Sequence, residues 1–185
     1  MNELFTWLSP YLTLAQLIGI FGYIAGVSAF LQRSDDAFRV QLTIVNIIMT
    51  AHFYLLGPDS YPAAVLNIIN IFRNIASGKT RNIWVMSFFI LLMWIASWPT
   101  IIEPIQYLSV IGTSLVTYSM FRLNAQKMRL GILMSSFLWI IYGIWMGSIG
   151  GTAIEITFAI INIITIIKMS KPSTKLHKSV TPTEN

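Results

Sequence analysis

The sequence contains no cysteine and little charge. Without thiols, neither a disulfide framework nor a thiolate metal site can form. Charged residues make up 10% of the 185-residue chain, and hydrophobic residues make up 55%. Because soluble domains carry roughly a quarter charged residues, a soluble fold of this length could not bury so much apolar surface. The composition therefore predicts a membrane protein.

Several catalytic signatures are also missing. The sequence has no phosphate-binding loop, no His-Glu-x-x-His motif and no Ser-His-Asp spacing. His52 has no His, Cys or carboxylate residue three or four positions further on that would complete a metal site. We therefore predict no enzymatic activity, no metal and no cofactor. The start of the chain, MNELFTWLSP, lacks the basic region of a cleaved signal peptide.

Apolar runs separated by short polar connections indicate seven membrane-spanning helices. The runs lack the strict alternation of barrel strands, so the predicted fold class is an all-α membrane protein. Several runs are close to the lower limit of about 17 residues for crossing a bilayer. The predicted spans are 11–32, 40–57, 61–77, 82–99, 104–121, 130–147 and 152–169.

The basic residues test this count, because Lys and Arg concentrate in cytoplasmic connections. With seven spans, all twelve fall on one side: Arg33, Arg39, Arg73, Lys79, Arg81, Arg122, Lys127, Arg129, Lys168, Lys171, Lys175 and Lys178. The opposite connections, 57–61, 99–104 and 147–151, contain none and include Asp59 and Glu103. The amino terminus is therefore predicted outside and the carboxyl terminus in the cytoplasm. We attribute the positive charge to topology and lipid contact, not to nucleic-acid binding.

The two halves of the sequence show a modest but ordered similarity. Four residues of the first half recur 90 to 93 positions later: Gly19 as Gly112, Arg39 as Arg129, Gly57 as Gly147 and Asn70 as Asn162. The first and fifth predicted spans run in the same direction. The halves are therefore predicted to be parallel repeats, related by an axis along the membrane normal.

This layout of three spans, one span and three spans, with matching asparagines in the third and seventh, resembles the SWEET and PQ-loop superfamily. The resemblance implies two parallel three-helix bundles around a central pathway, joined by an inverting linker helix. The Pro-Gln signature of the PQ-loop branch is absent, so no sugar or amino-acid specificity is carried over. The chain then divides into an outer amino terminus at 1–10, a first bundle at 11–77, a linker helix at 82–99, a second bundle at 104–169 and a disordered basic cytoplasmic tail at 170–185.

Four segments resemble the YgjV family of bacterial inner-membrane proteins more closely. They are HFYLLG at 52–57, NIWVM at 82–86, VIGT at 110–113 and GSIGGTAIE at 147–155. The match covers most of the chain. It implies a location in the bacterial inner membrane and does not name a substrate.

Asparagines in the predicted third and seventh spans are the main candidates for solute binding. Asn67, Asn70 and Asn74 recur at intervals of three and four residues, so they share a helical face. The superfamily resemblance implies that Asn70 and Asn162 face the substrate near mid-membrane. An amide both donates and accepts, which suits a hydroxylated or amide-bearing solute. The alternative is that these amides only hold helices together.

Two aromatic residues and a histidine extend the candidate site. Trp139 and Tyr142 are one helical turn apart and are predicted to wall a pocket. His52 lies ~18 Å along its predicted span from Val40, at 1.5 Å per residue. Because histidine titrates near neutral pH, His52 is a candidate for proton movement. A simple hydrogen-bonded role is the alternative.

Glu155 has two interpretations. With Thr152 it matches the S/T-x-x-E capping box at a helix start. Gly150 and Gly151 would form the tight turn that precedes this helix start. It also precedes Asn162 by two turns on the same face. The second interpretation is therefore a gate or cation contact at the mouth of the same path.

These features predict a small-solute transporter or facilitator whose two bundles rock for alternating access. A receptor or membrane-assembly protein that uses the same fold without transport is the alternative. The predicted partners are the lipid bilayer and a small polar solute, and a homo-oligomer is compatible with the sequence.

Overall fold

The computed structural model describes residues 13–29 and 35–170. Within them, regular structure is entirely helical and comprises seven α-helices, which confirms the predicted number. The helices are α1 (Leu14–Ala29), α2 (Asp35–Leu56), α3 (Tyr61–Lys79), α4 (Ile83–Ser97), α5 (Tyr107–Arg122), α6 (Ala125–Trp145) and α7 (Ile149–Ser170). The predicted outer terminus at 1–10, Arg33 and the predicted tail beyond Ser170 lie outside the described residues.

Three helices begin earlier than the apolar runs predict; α7 begins at Ile149 instead of 152, and the other two begin five residues early. α2 starts at Asp35 instead of 40, and α6 starts at Ala125 instead of 130. The added segments are DDAFR and AQKMR, which are largely polar. Hydropathy identifies only the part of a helix that suits lipid. Backbone hydrogen bonding continues these two helices into the polar residues beyond it.

Glycine follows α2 and α6 at equivalent positions of the two halves. Gly57 has a φ of 117° and Gly147 a φ of 69°, a left-handed region that residues with a β-carbon avoid. A short 3₁₀ turn, Pro58–Ser60, then leads into α3. Both glycines therefore end the preceding helix, as the sequence repeat predicts.

The helices contact one another in a cyclic order. α2 packs between α1 and α3, and α6 packs between α5 and α7. α1 also packs against α7, and α3 against α5, while α4 contacts α3 and α5. One apolar core joins α2, α3, α6 and α7, and a second joins α3, α4 and α5. Trp139 packs against both cores.

Length and composition single out three membrane-spanning segments in the described residues: Ile83–Thr100, Gln126–Trp145 and Ile149–Ser170. Leu14–Ala29 and Val40–Leu56 are apolar but shorter. α3 and α5 fall outside both groups. The reason is that α3 buries three asparagines and an arginine, and α5 buries serine and threonine. Seven helices are thus confirmed, but not all seven qualify as spans by these criteria alone.

The surface of the bundle is largely apolar, and its interior contains many polar side chains beside the two apolar cores. Large apolar side chains face outward, including Phe21 (67% exposed), Trp84 (79%) and Ile95 (63%). The interior holds buried His, Asn, Gln, Arg, Ser and Thr side chains. Apolar exposure on this scale is unfavourable in water and favourable in lipid. The packing therefore agrees with a membrane location.

The two ends of the bundle differ in charge. At the acidic end, the connections that follow α2, α4 and α6 lie near the start of α1, and they carry Asp59 and Glu103. At the basic end, Arg81 Nη1 donates to Asn124 Oδ1 at 2.7 Å and links the other two described connections. The basic residues in or near these connections are Lys79, Arg81, Arg122, Lys127 and Lys168.

Candidate functional site

His52 is fully buried in the last part of α2, near the acidic end of the bundle. Its Nδ1 lies 2.6 Å from the Ala15 carbonyl oxygen, and its Nε2 lies 2.7 Å from Ser148 Oγ. Because a carbonyl only accepts, Nδ1 carries the proton, and in the neutral ring Nε2 accepts from the Ser148 hydroxyl. His52 thereby joins α2 to α1 and to the connection before α7. This geometry matches the hydrogen-bonded alternative for His52.

Gln16, at the start of α1, connects the first half of the chain to the second. It is buried, and its Nε2 donates to the Gly147 carbonyl at 2.7 Å. Its Oε1 accepts from the Ile149 amide at 3.1 Å. Both ends of the side-chain amide therefore hold the connection between α6 and α7.

Gln106, just before α5, links the second half of the chain to the first. Its Nε2 donates to the Asp59 carbonyl at 2.9 Å, which ties the second half to the connection between α2 and α3. Its Oε1 accepts from the amides of Ile102, at 2.5 Å, and Glu103, at 2.9 Å. Tyr142, fully buried on α6, also donates to the Asp59 carbonyl, at 2.7 Å.

We call these two side chains, Gln16 and Gln106, the glutamine ties. They are 90 positions apart, the same offset that relates Gly57 to Gly147. Each comes from one half of the chain and holds a connection of the other half. Neither glutamine was predicted from the sequence, although their shared offset of 90 positions was a signal that could have found them.

The candidate asparagines use their amides in different ways. Asn67 Nδ2 donates to the Ala63 carbonyl of its own helix at 2.8 Å, and Asn162 Nδ2 donates to the Phe158 carbonyl at 2.8 Å. Both residues, like Asn70, are buried. Each of these bonds within one helix uses one of the two N–H donors of the amide and leaves the carboxamide oxygen available.

In both halves, the carboxamide oxygen of the paired asparagine meets an arginine. Arg73 Nη2 donates to Asn70 Oδ1 at 2.9 Å, and Arg129 Nη1 donates to Asn162 Oδ1 at 3.3 Å. Arg73 comes from the same helix as its asparagine, whereas Arg129 comes from the neighbouring α6. The two halves thus reach the same pairing from different sequence positions.

Arg73 corrects an interpretation made from the sequence. We predicted that it flanks a cytoplasmic connection, but it lies inside α3 and is only 5% exposed. Its Nη1 is 3.0 Å from Met120 Sδ, and its Nε is buried without a hydrogen-bond partner. The i, i+3 spacing from Asn70 was the available signal, because it places both residues on one face.

The predicted capping box is wrong. α7 begins at Ile149, so Thr152 and Glu155 both lie inside the helix, as do the two glycines assigned to a turn. Ser148 occupies the capping position instead, and its Oγ accepts from the Gly151 amide at 3.1 Å. Thr152 Oγ1 is buried without a partner.

Glu155 lies inside α7, close to Ser136 of the neighbouring helix α6. Ser136 is buried, and Glu155 is partly buried. The Thr152 amide donates to the Ser148 carbonyl at 3.1 Å instead of to the Glu155 carboxylate. Its predicted role as a gate or cation contact stays a prediction.

Two cavities of about 330 Å³ lie away from the asparagine pair. The first is lined by residues 13–16 with Leu55 and Leu56, and the second by Trp94, Ile95 and Trp98. The predicted pocket aromatics Trp139 and Tyr142 contact each other, with ring centroids 5.8 Å apart, but line neither cavity. In the part of the chain that the structure describes, no cluster of three His, Asp or Glu residues could hold a metal.

Comparison with known proteins decides the family. Residues 13–173 match Imp-YgjV, described as a bacterial inner membrane protein. The chain belongs to the YgjV family of bacterial inner membrane proteins. One YgjV relative, Inner membrane protein YgjV of Escherichia coli (strain K12), is 36% identical over 155 residues, which cover 84% of each chain. No solved structure matches. Membership of the YgjV family confirms the closer resemblance, while the relation to the SWEET and PQ-loop superfamily stays a prediction.

Proposed function

We propose that this YgjV-family protein is a small-solute transporter of the inner membrane. Residues 11–77 and 104–169 are the two three-helix halves, and residues 82–99 form the linker helix between them. The halves rock about a path that passes between them, in the manner expected for parallel repeats.

The observation that carries this proposal is the asparagine–arginine pairing in both halves. Asn70 meets Arg73 at 2.9 Å, and Asn162 meets Arg129 at 3.3 Å. Polar and charged side chains inside a membrane bundle are expensive, and they commonly mark the path of an ion or solute. The occurrence of the pairing in both halves supports a solute site that the two halves share.

The charge separation of the bundle supports its orientation. Cytoplasmic connections carry the excess of Lys and Arg, so the basic end faces the cytoplasm and the acidic end faces outward. All seven helices then cross the membrane, with the amino terminus outside and the carboxyl terminus inside. The polar faces of α3 and α5 are shielded by neighbouring helices, which supports crossing by these two less apolar segments.

The glutamine ties and His52 form the outer gate in this proposal. Each tie joins a residue of one half to a connection of the other, so rocking of the halves must break it. With both ties made, the path is closed toward the outside. Glu155 lies about two helical turns beyond this gate, roughly 10 Å along α7 from Ser148 at 1.5 Å per residue. Its carboxylate is the first along α7 on the inner side of the gate.

Uptake into proteoliposomes tests the proposal. The solute is first selected by a thermal-shift screen of the detergent-purified protein against metabolites. We expect uptake by the wild type, loss of uptake in the Asn70→Ala/Asn162→Ala variant, and retention in Asn124→Ala, which removes an exposed asparagine at the basic end. Normal uptake by a folded double variant would reject the site.

A receptor or membrane-assembly protein without transport is the second candidate. The packed interior favours it: the rings of Phe53 and Trp139 lie 6.2 Å apart between α2 and α6, and neither cavity reaches Asn70 or Asn162. Saturable ligand binding without any flux would select this function over transport.

A further inference from the structure

We infer that Arg73 and Asn70 bind an oxyanion, a carboxylate or a phosphate group, carried by the solute. This assigns a chemical class to the solute and rests on the proposed function. The sequence-based expectation was a hydroxylated or amide-bearing solute. The inference stands on the burial, the missing counter-charge and the unused donors of Arg73.

Arg73 is a buried cation without an anion. It is 5% exposed, and its guanidinium donates to the amide oxygen of Asn70 and to the thioether of Met120. Among the residues that the structure describes, Arg73 forms no ion pair. Buried charges are normally paired, because an unpaired one carries a large desolvation penalty. An incoming anion would remove that penalty.

The guanidinium also has more donors than partners. It carries five N–H groups, and a thioether is only a weak acceptor. Three buried side-chain atoms in the described residues lack a partner, namely Arg73 Nε, Ser97 Oγ and Thr152 Oγ1. Arg73 Nε is the one that belongs to a charged group. A carboxylate or phosphate presents two or more acceptor oxygens in the spacing that a guanidinium fork matches.

The neighbourhood favours an anion that enters from the basic end. Arg73 lies six residues before Lys79, which is ~9 Å along α3 at 1.5 Å per residue. Lys79, Arg81 and Lys127 near that end raise the local concentration of anions. Arg73 faces Met120 on α5 inside the bundle and is almost fully covered, so a free solute fits better than the headgroup of a surrounding lipid.

Thermal stability in nanodiscs of phosphatidylcholine, titrated with inorganic phosphate or acetate at constant ionic strength, tests the inference without needing transport. We expect at least one anion to raise the Tm of the wild type. Arg73→Gln should weaken that anion's apparent affinity about tenfold or more, as expected for loss of a charge-assisted contact. Arg122→Gln, which removes an exposed arginine at the basic end, should leave it unchanged.

Two further variants test the same site if Arg73→Gln does not fold. Arg73→Lys keeps the charge but loses the fork, and Asn70→Ala keeps the arginine but removes its partner. Both should bind the anion more weakly than the wild type while eluting as folded protein. Nanodiscs that contain phosphatidylglycerol, without added phosphate, test the lipid source. Arg73-dependent stabilisation by that lipid alone would overturn the assignment to a solute.

Other outcomes are equally decisive. No stabilisation of the wild type by either anion, or equal stabilisation of Arg73→Gln, would overturn the oxyanion site. Anion binding without flux in proteoliposomes would reject transport and keep the site. Flux that Arg73→Gln leaves unchanged would keep transport and reject the site.

Discussion

The glutamine ties at the acidic end and the Arg73–Asn70 pair inside α3 are both buried and polar, yet they differ in how well they are satisfied. Each glutamine uses both its donor and its acceptor, and His52 uses both ring nitrogens. Arg73 leaves Nε without a partner and has no counter-charge among the described residues. Two hydroxyls near the acidic end are also unpartnered, but a neutral hydroxyl is much less costly to bury than a charge.

This difference in hydrogen bonding suggests that one region closes the path and the other binds the solute. A satisfied neutral network holds two elements in one geometry and gains nothing from a ligand. An unsatisfied charge gains most when a ligand supplies the missing partner. We therefore interpret the acidic end as the closed gate and Arg73 with Asn70 as the place where the solute binds.

The largest effect should come from Gly150→Ala, which disrupts the acidic end through packing. A β-carbon at Gly150 would meet the backbone of Gly19, so α1 and α7 would have to separate. We expect the free energy of unfolding to fall by about 3 kcal/mol, at the upper end for overpacking. Denaturant titration in mixed micelles measures it.

Gly143→Ala is the matched control for this change. There a β-carbon would lie 2.6 Å from Thr152 Oγ1, a side-chain atom that can rotate away. A loss as large as that of Gly150→Ala would show that backbone contact between α1 and α7 is not what makes position 150 sensitive.

Removal of one tie should have the next largest effect. Gln16→Leu leaves the Gly147 carbonyl and the Ile149 amide without a partner. Gln106→Leu leaves the amides of Ile102 and Glu103 without one, while the Asp59 carbonyl keeps its bond from Tyr142. We expect each to lower the free energy of unfolding by about 2 kcal/mol, the typical penalty for buried unsatisfied groups. Gln126→Leu, at an exposed glutamine bonded to Ser170, should change it by less than about 0.5 kcal/mol.

If all three glutamine variants lost the same free energy of unfolding, the hydrogen bonds of the glutamine ties would contribute no more to stability than those of an exposed glutamine. Similar losses for Gln16→Leu and Gln106→Leu, with Gln126→Leu unaffected, would support their symmetric role.

The smallest effects distinguish Ser148 from Thr152 as the cap of α7. Ser148→Ala removes the acceptor of the Gly151 amide and the partner of His52, so we expect a loss of about 1–2 kcal/mol. Thr152→Val removes a buried hydroxyl that has no partner and should be neutral or slightly stabilising. The reverse order would restore the capping box that the sequence suggested. Thermal unfolding of the two variants decides between them.

The helices were predictable because hydropathy and charge act locally. The alternation of apolar runs and basic connections located all seven, and glycine marked the ends of α2 and α6. The start of α7 was not predictable in the same way. Ser148 and Thr152 both match a cap, and Gly150 and Gly151 suggest a turn. The helix nevertheless runs through the glycines, where Gly150 packs against the backbone of Gly19.

The candidate site was predictable only in part. Asn70 and Asn162 stand out as amides in apolar runs, and the repeat pairs them. Arg73 did not stand out, since a cation near a helix end satisfies the positive-inside pattern whichever way it points. Its burial depends on the rotation of α3 against α5. The glutamine ties join residues 131 and 47 positions apart, and only the packing of the two halves reveals them.

Cysteine accessibility tests the central claim, that the glutamine ties close a path leading to the asparagine face, most directly. The chain has no cysteine, so Asn67→Cys introduces a unique thiol on that face. We expect a membrane-impermeant maleimide to label it slowly from the outside of oriented vesicles while the ties are intact. Labelling should become much faster in the Gln16→Leu/Gln106→Leu background and stay slow in Gln126→Leu. Equal outside labelling in all three backgrounds would contradict the gate.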